Sequence, residues 1–221
     1  MKRSEINNLL SEAKVFLKER KFYLPPWAFW SLHDWEKNVD DTGLIKKNML
    51  GWDITDFGSE NFLQRGLLLF TLRNGNISKD TKPYAEKIMI VEENQETPFH
   101  FHKNKMEDII NRGGGNLIIE LFNSQGDQID PETSVEVEVN GILRTLAPGE
   151  KIRLVPGESI YLEQHTVHRF YGEPSSGKVL VGEVSSVNDD KTDNYFQEKN
   201  GRFPNIDEDE KPLHLLVSDY Y

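Results

Sequence analysis

From Tyr84 to Ser185 the chain is a succession of short apolar runs cut by turn residues, with no helix-length pattern between them. Strands are expected at 87–92, 98–102, 107–111, 116–122, 134–140, 151–155, 159–162, 168–171 and 178–185. The sharpest break is Asn140-Gly141, set between Val135-Glu136-Val137-Glu138-Val139 and Ile142-Leu143-Arg144-Thr145-Leu146, which reads as a two-residue hairpin. Pro148-Gly149 and Pro156-Gly157 bracket the run that follows. Many short strands without long helices between them imply an antiparallel sandwich or barrel, an all-β-dominated fold. At 221 residues, one such domain with a sizeable core accounts for the chain.

One strand carries chemistry: Pro98-Phe99-His100-Phe101-His102-Lys103-Asn104-Lys105-Met106-Glu107, closed by Gly113-Gly114-Gly115. Alternate side chains of an extended strand share a face, so His100 and His102 can grip one ion from one side. A turn through Lys103 to Met106 would bring the next strand back antiparallel and set the Glu107 carboxylate opposite both imidazoles. Farther on, His165 and His168 follow the Pro156-Gly157 turn and the 159–162 strand. The chain has no cysteine, so any metal site must be built from imidazole and carboxylate. Two imidazoles, a carboxylate and a third imidazole suit a divalent first-row metal, with positions left for water or substrate. A His-x-His pair alone is often just a polar strand face. The glutamate at fixed spacing, the glycine run and the Pro-Gly turn ahead of a later histidine set this pair apart.

These residues carry a resemblance. His100-x-His102-x4-Glu107 followed by Gly113 resembles the first motif of the cupin superfamily, and Pro156-Gly157-Glu158 through His168 resembles the second. The gap from Pro-Gly to histidine is longer than that motif usually has, which leaves His165 as a rival to His168. Longer stretches, from His100 through Gly115, Gly182 to Asp190 and Gly201-Arg202-Phe203-Pro204, are similar to the D-lyxose isomerase family of cupins. The resemblance covers nearly the whole chain and favours His168 as the fourth ligand. It implies a double-stranded β-helix, or jelly roll, with an N-terminal helical extension. On that reading 1–221 is a single domain: about 1–78 the extension, about 80–190 the barrel core with the metal site, about 191–221 a C-terminal segment. It also implies manganese, although mixed nitrogen and oxygen ligation admits cobalt, iron, nickel or zinc.

The flanking segments read separately. Ile6, Leu9, Leu10, Ala13, Phe16 and Leu17 recur at helical spacing over 4–20, with Ser4 available as an N-cap. Glu5, Glu12 and Glu19 dilute the basic face of a membrane-surface helix, so the apolar stripe is expected to pack on the domain. After Pro25-Pro26 come Trp27, Phe29, Trp30 and Trp35, which serve either as a stacking platform for a sugar ring or as a lid of core aromatics at one barrel end. Residues 53–58 read as a loop, 66–72 as a buried strand stopped by Asn74-Gly75, 188–194 as a polar loop that is either solvated or lines a pocket at the barrel mouth, and 213–217 as a last edge strand.

A net charge of −11 argues against nucleic acid and anionic membranes as partners. Met1-Lys2-Arg3-Ser4-Glu5 is not followed by a long apolar core, so no signal peptide or span is expected and the cytoplasm is the default location. Neutral imidazoles and one carboxylate leave a dication net positive charge with which to polarise an α-hydroxy carbonyl. Such a site suits aldose–ketose isomerisation: with the C1 and C2 oxygens on the metal, the C2 proton passes to C1 through a cis-enediolate. A hydride shift would use the same ligands. The resemblance names the free sugars, D-lyxose with D-xylulose and D-mannose with D-fructose. It sets Lys105 beside the site as an acid or shuttle and a late carboxylate, Glu198, as the proton carrier. Glu183, in the apolar strand Val179 to Ser185, is costly to bury unless it faces the cavity, which suits a sugar-hydroxyl or proton-transfer role. A homodimer is expected, since cupins commonly pair through sheet edges. A metal-dependent cupin dioxygenase and a non-enzymatic sugar-binding cupin are the rival readings.

Overall fold

The computed structural model describes residues 1–75, 82–187, 193–198, 201 and 204–220. Arg202 and Phe203 of the Gly-Arg-Phe-Pro stretch, and 188–192 of the expected polar loop, lie outside the described residues. The strands are β1 (Gly51–Thr55), β2 (Leu67–Arg73), β3 (Tyr84–Val91), β4 (Glu96–His102), β5 (Glu107–Gly114), β6 (Leu117–Gln125) and β7 (Gln128–Asp130). They continue with β8 (Val135–Val139), β9 (Ile142–Leu146), β10 (Lys151–Leu154), β11 (Ser159–Leu162), β12 (Thr166–Gly172), β13 (Val179–Ser186) and β14 (Asn194–Phe196).

Among the described residues these strands make two antiparallel sheets. One runs β1-β2-β3-β13-β5-β11-β8-β9; the other runs β10-β6-β12-β4-β14, with β7 beside β6. Their facing sides bury Met89, Ile109 and Val181 from the first sheet against Ile119, Leu121 and Phe170 from the second. This is the jelly roll, and its core lies where the alternating apolar residues of both sheets meet. The β8–β9 hairpin forms at Asn140-Gly141 with φ of 54° and 78°, the left-handed pair that such a turn requires. Gly114, at φ 93°, pairs with Val179 one residue beyond the register shift of β13 against β5, and a Cβ there would fall 2.3 Å from the Lys178 carbonyl oxygen.

The sequence expectation for the turn after His102 needs one correction. The next strand does not return beside β4: β4 belongs to the six-stranded sheet and β5 to the eight-stranded one. Residues 103–106 therefore turn a corner of the barrel, and Glu107 faces the imidazoles across the interior rather than from a neighbouring strand.

Helix α1 (Arg3–Glu19) buries Ile6, Leu10, Phe16 and Leu17 on the outer face of the eight-stranded sheet, against Leu68, Phe70, Ile88 and Leu180. Full burial of a large apolar side chain contributes about 1.5–3 kcal/mol, so this stripe accounts for the docking of the helix. The helix starts one residue before the expected cap. Lys2 precedes it, the Glu5 carboxylate accepts the Lys2 N–H at 2.8 Å, and Ser4 instead donates its hydroxyl to Asp209 at 2.7 Å. Arg3, only 1% exposed, donates to both Glu208 and Asp219 and ties the start of the chain to its end.

Three further expectations change. The 53–58 loop begins only after β1, whose residues pair with β2 from Gly51 to Thr55. The 213–217 strand is instead a single bridge from Leu216 to Trp52 followed by a 3-10 turn at Val217–Tyr220, because Asp219 captures the Leu216 N–H. The aromatic segment sits neither at a barrel end nor beside the histidines. Trp27 packs on Phe70 of the outer sheet face, and Trp30 and Tyr220 pack on Trp35. None of the described helices is long and apolar enough to cross a membrane.

Candidate metal centre

His168 pairs with His100 between β12 and β4, and paired residues point to the same side of a sheet, so both imidazoles enter the barrel beside His102. Glu107, the first residue of β5, comes from the opposite sheet. One ligand atom from each of His100, His102, Glu107 and His168 lies within 4.8 Å of every other, and all four residues are buried.

Hydrogen bonds set the state of the rings. The Nδ1–H of His100 donates to the Pro98 carbonyl and that of His168 to the Thr166 carbonyl, each at 2.9 Å. With Nδ1 so engaged, Nε2 is the ring atom that each histidine turns toward the cluster. Burial, followed by the neighbouring His168 and His102, pushes His100 well below the usual imidazole range. Burial and then Lys105 lower His102. Among the described residues the buried Nε2 atoms of His102 and His168 have no hydrogen-bond partner, and each lies 3.2 Å from Glu107 Oε1. Buried lone pairs are costly to leave unmatched. Three imidazole nitrogens and one carboxylate around a common point are the donor set of a divalent cation, so these residues fit the metal that the motif implies.

A chain of buried charge runs away from Glu107. Lys105, 2% exposed, places Nζ 2.6 Å from Glu107 Oε2 and 3.1 Å from Glu183 Oε1. Glu183 also has Lys87 at 3.3 Å and accepts from the Ser185 hydroxyl at 3.0 Å. Burial pushes the Glu107 carboxyl up, but Lys105 more than offsets it and holds the group well below the usual carboxylate range. Glu183 behaves alike: burial raises it, and Lys105 and Lys87 bring it below its ordinary value. Both carboxylates are ionised at neutral pH.

The structure thus brings together His100, His102, Glu107, His168, Lys105 and Glu183. β5 starts only at Glu107, so the turn before it carries Lys105 to the Glu107 carboxylate. Glu198 is not in the cluster: its side chain is 64% exposed and takes a 2.6 Å ion pair from Arg65. His165 is exposed, with its ring against Phe101, and points away from the three clustered histidines. Two neighbours escaped the sequence reading. Lys87 carried little signal, because it follows Glu86 and the two read as the polar start of the apolar run Ile88 to Val91. Phe196, whose ring stacks on His100 at 5.2 Å, carried none, because β14 is three residues long.

The fold and the site together define a class. The chain resembles L-ribose isomerase from Cellulomonas parahominis, with a TM-score of 0.61 at 17% identity over 94% of this chain and 98% of that one. It resembles the Geodermatophilus obscurus L-ribose isomerase with a TM-score of 0.58 at 16% identity, over 89% and 92%. At such identities the likeness shows the shared fold, a cupin-type jelly roll. The model of the D-lyxose isomerase family matches residues 1–220. Proteins named D-lyxose/D-mannose isomerase from Serratia proteamaculans and Escherichia coli O157:H7 are 46% and 45% identical, over all of this chain and 98% of each relative. The protein is a cupin-type sugar isomerase. It belongs to the D-lyxose isomerase family.

Proposed function

We propose that the protein interconverts free aldoses and their 2-ketoses, D-lyxose with D-xylulose and D-mannose with D-fructose, using a divalent ion held by His100, His102, Glu107 and His168. The reading rests on one observation above all: the buried three-histidine, one-glutamate cluster touches a buried lysine–carboxylate pair. The family match and the names of the relatives support the choice of sugars. Manganese is the proposed ion, on the resemblance and the mixed nitrogen and oxygen donors. When bound, the ion supplies Lewis-acid polarisation of an α-hydroxy carbonyl.

The remaining work is proton movement, and the chain has groups for it. Isomerisation takes a proton from C2 and delivers one to C1, while the C2 hydroxyl loses a proton and the C1 oxygen gains one. Glu183, ionised and buried, takes the carbon-bound proton and returns it. Lys105, within reach of Glu183 Oε1, relays the proton between the two oxygens. General acid–base groups of this kind contribute about 10²- to 10⁴-fold. Glu198, expected as the carrier, would have to leave Arg65 first, so Glu183 is the better-placed carboxylate. Phe196 covers His100 and limits water at the cluster.

The test is to strip the protein with chelator, restore single metals, and follow a panel of free pentoses and hexoses for aldose–ketose exchange. In D2O, deuterium entering C1 of the ketose or C2 of the aldose marks proton transfer, and its absence during turnover marks a hydride shift. If no metal restored exchange for any sugar while another substrate consumed oxygen, the isomerase reading would give way to the dioxygenase one.

A further inference from the structure

The corner turn 103–106 carries the lysine between two of the four clustered ligands, yet among the described residues none of its N–H groups bonds within the turn. Three of them end on one residue. The Lys103 N–H reaches the Asp193 carbonyl at 3.3 Å, the Asn104 N–H reaches Asp193 Oδ1 at 2.7 Å, and the Lys105 N–H reaches Oδ2 at 3.0 Å. The Asn104 side-chain amide adds a further bond to Oδ1 at 2.9 Å. Met106 is held separately, through Ser186. Successive N–H groups converging on one carboxylate form an anion nest, and charge-assisted bonds of this kind are the strong ones.

Asp193 is only 4% exposed, and it immediately precedes β14, where Asn194 pairs with His102 and Phe196 pairs with and stacks on His100. The geometry points to Asp193 as a positioning residue that fixes the backbone of Lys105, so that Nζ stands within 2.6 Å of Glu107 and 3.1 Å of Glu183. Asp193 touches neither the clustered ligands' donor atoms nor Glu183 among the contacts described, so its effect on turnover passes through Lys105. The inference rests on the proton-relay role given to Lys105 above. The physical reason is steep distance dependence: a lysine stem has four rotatable bonds, and its ammonium holds two contacts only while its backbone is fixed. Misplacing a proton-transfer group by about 1 Å costs on the order of 10²-fold in rate.

The test compares Asp193→Asn, Lys105→Met, their double variant and Asn104→Ala as manganese-loaded enzymes turning over D-lyxose and D-mannose. Asparagine offers one acceptor oxygen, and its amide would face an N–H donor. Asp193→Asn is therefore expected to lower kcat by about 10²-fold, with KM within about threefold and metal content per chain unchanged. The double variant is expected to turn over no more slowly than Lys105→Met alone, because the effect runs through the residue already removed. Asn104→Ala keeps both backbone bonds to the carboxylate and stays within about threefold of the parent kcat. The inference is overturned if Asp193→Asn keeps full kcat, loses its metal, or slows the Lys105→Met enzyme by the same factor as the parent. Full turnover by Lys105→Met would instead sink the relay role of the lysine, a different result from an inactive Lys105→Met beside an intact Asp193→Asn. Should Asp193→Asn not fold, amide exchange of the parent holoenzyme decides. Protection at 103–105 upholds the anchor, and exchange at the rate of an open turn overturns it.

Discussion

Replacing Lys105 by methionine keeps the length of the side chain and removes one buried positive charge from between two carboxylates. The consequences for those carboxylates differ. Glu183 keeps Lys87 at 3.3 Å and the Ser185 hydroxyl, whereas Glu107 loses the one ammonium that the described residues give it. His102 and His168 lie 3.2 Å away, but burial favours a neutral His102. Breaking one side of a buried ion pair costs about 3–5 kcal/mol, because the charge left behind is neither hydrated nor matched. For a chain of this size each kcal/mol moves Tm by about 2–4 °C, so metal-free Lys105→Met is expected to melt roughly 6–20 °C below the parent. Thermal unfolding followed by circular dichroism in chelator measures it. Excess manganese should shrink the gap to less than half, because the dication then neutralises Glu107, while turnover stays about 10²- to 10⁴-fold down. A metal-free variant as stable as the parent would refute the claim that Lys105 compensates the buried Glu107 charge.

Three other outcomes follow from the same reasoning. His168→Ala should lose its metal on dialysis while His165→Ala keeps a full equivalent by elemental analysis, since the exposed His165 ring faces Phe101 instead of the cluster. Arg3→Met, which removes a fully buried guanidinium from Glu208 and Asp219, should cost about 2–4 kcal/mol in urea unfolding; Glu208 can rehydrate, so the upper limit for a buried pair is not reached. His214 donates Nδ1–H to the Trp30 carbonyl and accepts from Lys14 at Nε2, and burial, with Lys14 adding to it, lowers its pKa in the fold. Its contribution is then complete above the unfolded value of about 6.5 and is lost as pH falls below it, by up to about 1.4 kcal/mol per pH unit. Metal-free His214→Gln should show a shallower acid loss than the parent in unfolding titrations, and equal slopes would count against this.

The short strands, the Asn140-Gly141 hairpin and the ligand spacing were legible in the chain because each rests on local rules: side-chain alternation, turn chemistry and the donor types that a dication accepts. Glu183 was also partly legible, as a charge set inside a mostly apolar run that needs a partner once buried. What local rules could not supply was which sheet a strand joins. That choice depends on how two faces share one core, and it carried β5 across the barrel so that Glu107 meets the imidazoles from the far side. It also took the tryptophans to the outer sheet face with α1, where burying their area against Phe70 and Tyr220 outweighs any exposed stacking role. Asp193 and Phe196 reach the site over long sequence separations, through pairing of β14 with β4, and no periodicity in so short a strand announces it. Residue types thus determined which chemistry the chain could perform, and tertiary packing alone decided which lysine, which carboxylate and which turn are held close enough to perform it.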